Sequence, residues 1–65
     1  MSPRDEAGIA FTLDKIITST DDAIKVRYHD EDIWIPLSQV HEIHRTEPPT
    51  IVITPWIARK KGMIE

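Results

Sequence analysis

Apolar and polar positions alternate with a period of two along most of this chain, which is the signature of half-buried β-strands. The longest apolar run is Asp32 to Val40, where Ile33, Ile35 and Leu37 alternate with Trp34 and Pro36. A strand here turns its aliphatic side chains to one face and the indole to the other. Pro36 has no N–H to give to a ladder, so the strand ends there, and Ser38-Gln39 supply one tight turn before the chain re-enters a sheet at Val40.

The same period marks the earlier segments. Ile9, Phe11 and Leu13 alternate with Ala10, Thr12 and Asp14, and the alternation slips at Lys15-Ile16-Ile17. Two adjacent isoleucines mean either a strand buried on both faces at that point or a bulge that shifts the register and bends one long strand, and the bend is the favoured reading. Ser19-Thr20-Asp21-Asp22 is turn chemistry. Ile24, Val26 and Tyr28 against Lys25 and Arg27 form the clearest amphipathic strand, expected to pair antiparallel with both neighbours. His29 to Asp32 lacks the Asn-Gly or Asp-Gly of a two-residue hairpin, which predicts a looser four-residue loop.

His41 to Arg45 is polar and suits a sheet edge. Thr46-Glu47-Pro48-Pro49 breaks the ladder, and Thr50 to Ile53 is a last strand, rich in β-branched residues. Thr54-Pro55 then places a cap and an N1 proline at the start of a helix of about 55–61, which Gly62 stops. Met63 and Ile64 can fold back on the core. Residues 1–8 mix proline, small residues and both charge signs, and read as a disordered terminus. Residues 9–65 form one small domain. The expected fold is mainly β: a five-stranded antiparallel barrel or rolled sheet with a short C-terminal helix. Pro36 to Val40 has no room for the helix of an oligonucleotide-binding barrel, so an SH3-like barrel fits better.

Sixty-five residues bury only about 60% of the surface of the unfolded chain, so the stability margin is thin. There is no cysteine to staple the core or hold zinc. No signal peptide and no stretch of ~20 apolar residues is present. These features predict a soluble, cytoplasmic protein. The net charge is −3, with residues 1–32 at −4 and residues 33–65 at +1. A net acidic domain is poorly suited to phosphate backbones unless its cations converge.

The segments Trp34-Ile35-Pro36 with Ser38-Gln39-Val40, and Ile53-Thr54-Pro55-Trp56-Ile57-Ala58 with Lys60-Lys61-Gly62, resemble short proteins of bacteriophages and prophages. Those carry a W-I-P-[KR]-S-Q-[IV] segment and a V-P-E-W-[LF]-A-x-K-K-G-[LI] tail. The resemblance runs from about Phe11 to Ile64. It implies a phage or mobile-element source, hence a bacterial host cell, and a small β fold, with no settled activity. Leu37 stands where that family usually has a cation, and His29 to Asp32 lacks its Asp-Gly turn.

Chemistry has little material. His41 and His44 would share a face on a helix, but on a strand they point to opposite faces, so solvated edge histidines are expected in place of a metal site. Asp21-Asp22 and Asp30-Glu31-Asp32 lack the spaced ligands and glycine of a calcium loop. The serines have no arrangement suggesting a nucleophile, and with only Gly8 and Gly62 there is no phosphate-binding glycine loop. The expectation is no enzyme, no metal and no cofactor.

What remains is binding. Trp34 is either covered by the C-terminal helix with Met63 and Ile64, the favoured outcome, or exposed as an anchor. Trp56 is expected to pack on the barrel mouth. Arg59, Lys60 and Lys61 complement the helix dipole first and offer a contact patch second. The first expectation is therefore a non-catalytic module acting by protein–protein contact through Trp34, Trp56, Arg59, Lys60 and Lys61, as an inhibitor or accessory of a larger complex, with a homodimer plausible. The alternative is a single-stranded nucleic-acid binder using Lys25, Arg27, Lys60 and Lys61. Binding of a small nucleotide between subunits has no residue in its favour.

Overall fold

The computed structural model describes residues 7–64. Most of the segment expected to be disordered, residues 1–6 of 1–8, lies outside the described residues. Among the described residues six strands run in the order β1 (Ile9–Thr12), β2 (Lys15–Ser19), β3 (Ala23–Tyr28), β4 (Glu31–Pro36), β5 (Val40–His44) and β6 (Thr50–Ile53), followed by α1 (Pro55–Lys60). A 3-10 turn at Leu37–Gln39 joins β4 to β5. All pairings are antiparallel, in two three-stranded sheets ordered β1-β6-β5 and β2-β3-β4.

Among the described residues the expected five strands become six, and the expected barrel or rolled sheet takes the form of two three-stranded sheets and no closed barrel, for one reason. The long first strand divides at Leu13-Asp14. The Leu13 N–H donates to the Pro49 carbonyl at 2.8 Å, while the Asp14 N–H donates to the Arg27 carbonyl at 2.8 Å. Successive residues of a strand aim their N–H groups to opposite sides, so this pair hands the chain from one sheet to the other. Leu13 is buried at the corner, where a side chain of its size stabilises the fold by roughly 1.5–3 kcal/mol. The slip of alternation is also present, as a register shift between Ile16 and Thr18 that leaves Ile17 bulged.

The β3–β4 connection corrects a second expectation. Tyr28 pairs directly with Glu31, so the loop has two residues and not four. His29 and Asp30 both take positive φ, 50° and 64°, as a type I′ turn requires. The conformation that glycine normally supplies is adopted here by two residues with side chains. The Asp30 N–H donates to Asp14 Oδ2 at 3.0 Å, and the His29 ring stacks on Tyr28 at 4.1 Å.

The core lies between the sheets and under α1. Phe11, Ile24, Val26, Ile35, Ile51 and Ile53 come from the strands, and Ile57, Ala58 and Met63 from the C-terminal segment. Thr54 caps α1 by accepting from the Ile57 N–H at 3.3 Å. Beyond the helix, Gly62 takes φ 76° and donates to the Arg59 carbonyl, and Met63 donates to the Ala58 carbonyl. These two bonds make a Schellman stop, which brings Met63 back onto Ala58 and into the core.

Candidate functional site

The β3–β4 register sets the outer face of the second sheet. Ile24 opposes Ile35 and Val26 opposes Ile33 on the core side, so Lys25 opposes Trp34 and Arg27 opposes Asp32 on the outer side. Trp34 is 43% exposed, so the expectation that the C-terminal segment covers it is corrected. The helix packs through Ile57 and Ala58 into the core, leaving the indole uncovered. Lys25 Nζ sits 5.8 Å from the centre of the indole ring.

Asp32 governs the charge on this face. Arg27 Nε donates to Asp32 Oδ1 at 2.9 Å, and Lys25 Nζ lies 4.0 Å from Asp32 Oδ2. The Arg27 hydrogen bond holds the Asp32 carboxyl below its ordinary value, and Asp32 in turn raises the guanidinium. Both cations of this face thus have an anion beside them. Sequence reading missed Asp32, although the signal was available once the hairpin is aligned, because cross-strand neighbours follow from the register.

Tyr28 belongs to the other side of β3. Its ring meets Phe11 edge-on, with centroids 5.6 Å apart and planes at 85°, as its place in the alternation with Ile24 and Val26 implies. The outer sheet face therefore offers one aromatic among the described residues, Trp34.

Trp56 is 39% exposed and does not pack into the core, which corrects that expectation. Residues 57 and 58 occupy the buried side of this short helix, and Trp56 precedes them on the solvent side. Lys60 Nζ lies 4.9 Å from the Trp56 ring centre. Trp56, Arg59 and Lys60 line one open hollow of about 330 Å³, and Lys61 is exposed at the helix C-cap. The predicted site residues thus fall into two groups, Lys25, Arg27 and Trp34 on the sheet and Trp56, Arg59, Lys60 and Lys61 on the helix. No hydrogen bond, ion pair or ring contact among the described residues joins them.

A second open hollow, about 240 Å³, lies at the β1–β2 corner between Asp14, Lys15 and Ile16 on one wall and Arg45, Thr46, Glu47 and Pro49 on the other. Its lining mixes two cations with two acids, and so selects no ligand charge. His44 Nε2 lies 3.3 Å from Glu42 Oε1, while the His41 ring lies close to Gly8. Among the described residues no group of three or more His, Cys, Asp or Glu side chains is placed to hold a metal ion. No described helix is long and apolar enough to cross a membrane.

Comparison of the chain with protein-family models, curated proteins and solved structures gives no match.

Proposed function

We propose that this chain is a non-catalytic binding module of phage or mobile-element type, acting by protein–protein contact in the bacterial cytoplasm as an inhibitor or accessory of a larger complex. The observation that carries the reading is Trp34, exposed on the outer face of the β2-β3-β4 sheet, on its edge strand β4, and flanked by Lys25, Arg27 and Asp32. An exposed indole ringed by polar side chains is the usual anchor of a protein interface, because it buries a large apolar area with few rotatable bonds. The bent first strand and the 3-10 corner fit an SH3-like arrangement, which gives such a face a rigid support.

The nucleic-acid reading has one observation on its side, the lysine over the exposed indole. Against it stand the pairing of Lys25 and Arg27 with Asp32, the turn of Tyr28 to the core, and the separation of Lys60 and Lys61 from the sheet face. Phosphate affinity needs several free cations together.

The deciding experiment titrates a labelled single-stranded oligonucleotide at low and physiological salt while following tryptophan emission. In parallel, bait protein captures partners from bacterial lysate as wild type, Trp34→Ala and Trp56→Ala. The protein-contact reading expects no oligonucleotide binding at either salt, and a captured partner lost with Trp34→Ala alone. Salt-sensitive binding that quenches tryptophan would replace it with the nucleic-acid reading.

A further inference from the structure

Among the described residues, the unpaired side of β4 is the least protected strand edge. Exposed strand edges invite further pairing, and proteins blunt them with bulges, short strands, charges and prolines. Here β1 has only four residues, β2 is bulged at Ile17, and β5 carries a register shift between Val40 and Glu42 that bulges His41. By contrast β4 keeps regular register with β3 over all six of its residues, with Pro36 only at its end.

The direction of its free backbone groups follows from one bond. Leu37 N–H donates to the Asp22 carbonyl at 2.9 Å, which continues the β3–β4 register by one step. Antiparallel ladders alternate bonded and non-bonded pairs, so Ile35, Ile33 and Glu31 bond to β3. The N–H and C=O groups of Asp32 and Trp34 therefore point away from β3, and β4 is the outer strand of its sheet.

We propose that this edge pairs with the same edge of a second copy of the chain, β4 antiparallel to β4 about a two-fold axis at Ile33. The sequence of the edge fits itself in this register. Ile33 meets Ile33 of the second copy, Asp32 meets its Trp34, and Glu31 meets its Ile35. All four outward groups of Asp32 and Trp34 are bonded, and no two like charges stand opposite. An axis at Trp34 sets Asp32 against Pro36 of the second copy, which has no N–H, and leaves the Asp32 carbonyl unbonded. An axis at Asp32 brings two carboxylates together. The Asp32 charge that enters the contact already has Arg27 and Lys25 beside it. The product is a continuous six-stranded sheet of closed, isologous symmetry. Its outer face carries both Trp34 side chains as diagonal neighbours, so the surface of the proposed function is doubled. Self-association is read without any partner, and its failure is separate from a failure of that function.

Two variants test the pairing. The chain has no cysteine, so Ile33→Cys supplies a single thiol. At the two-fold axis it faces its own copy in a non-bonded pair, with Cα atoms about 4.5 Å apart, within disulfide reach. Ile33→Cys is expected to oxidise to a linked dimer many times faster than Trp56→Cys. Trp34→Pro removes an N–H that bonds no other described residue, and is expected to halve the sedimenting mass, whereas Trp34→Thr keeps the N–H and the dimer. A wild type that sediments as a monomer at millimolar concentration, a folded Trp34→Pro that stays dimeric, or equal oxidation of the two cysteine variants would each overturn the pairing. If Trp34→Pro does not fold, the oxidation rates decide alone. A monomeric wild type whose Ile33→Cys variant links to a captured protein would assign the edge to a different partner.

Discussion

Gln39 and Thr54 are tied to each other twice: the Thr54 N–H donates to the Gln39 carbonyl and the Thr54 hydroxyl donates to Gln39 Oε1, both at 3.0 Å. One residue sits in the turn after Pro36 and the other at the cap of α1. The two bonds fix where the helix leaves the sheet.

Thr54 is fully buried, and its hydroxyl also accepts from the Ile57 N–H. Thr54→Ala leaves a helix N–H and the Gln39 amide oxygen without that partner. Its expected cost is about 1–2 kcal/mol, read as a lower urea midpoint, while Thr54→Ser retains most of the stability. Equal stability of Thr54→Ala and wild type would mean that the cap and the tie contribute nothing.

At the hairpin tip, the left-handed backbone costs a residue with a Cβ roughly 1–2 kcal/mol, and glycine gives back about 0.5–1 kcal/mol of that in chain entropy. Asp30→Gly keeps the N–H that bonds to Asp14 and is expected to stabilise the domain by about 0.5 kcal/mol. Asp14→Ala, which removes the acceptor, is expected to lower the melting temperature. A loss of stability in Asp30→Gly would show that the aspartate side chain has a role of its own in the turn.

The Arg27–Asp32 pair makes stability depend on acidity. The Arg27 hydrogen bond holds the Asp32 carboxyl below the usual carboxylate range. A group with a depressed folded-state pKa contributes above its unfolded value and loses that contribution as pH falls through the folded one. Asp32→Asn is therefore expected to melt below wild type at neutral pH, with the two melting curves converging in acid below the ordinary carboxylate range. A gap that stays constant with pH would assign the loss to shape and not to charge.

Ile35 is fully buried and opposes Ile24. Ile35→Asp places an unpaired charge in the core, and in a domain of this size it is expected to abolish the cooperative transition. His41→Ala, at the exposed bulge of β5, is expected to change stability by less than about 0.5 kcal/mol. Comparable loss in both, measured by thermal melting with circular dichroism, would contradict the placement of β5 as an outer strand.

Local chemistry was enough for the elements themselves. Period-two alternation marks β3, β4 and β6, Pro36 ends its strand, Thr54-Pro55 starts the helix and Gly62 stops it, because each acts through its own backbone or its nearest neighbours. What the tertiary structure alone decided is which partner each backbone group finds. Leu13 and Asp14 donate in opposite directions to strands far apart in sequence, which divides one expected strand into two. His29 and Asp30 take a glycine's conformation where the Asp14 carboxylate, brought in from the β1–β2 corner, accepts the Asp30 N–H and the His29 ring stacks on its chain neighbour Tyr28. Trp34 is exposed because it lies on the outer face of the sheet while α1 packs into the core on the other side through Ile57 and Ala58, and its cations are paired because the hairpin register sets Asp32 beside them. Alternation along a strand fixes which side chains share a face, but what covers that face depends on contacts that close over long stretches of chain.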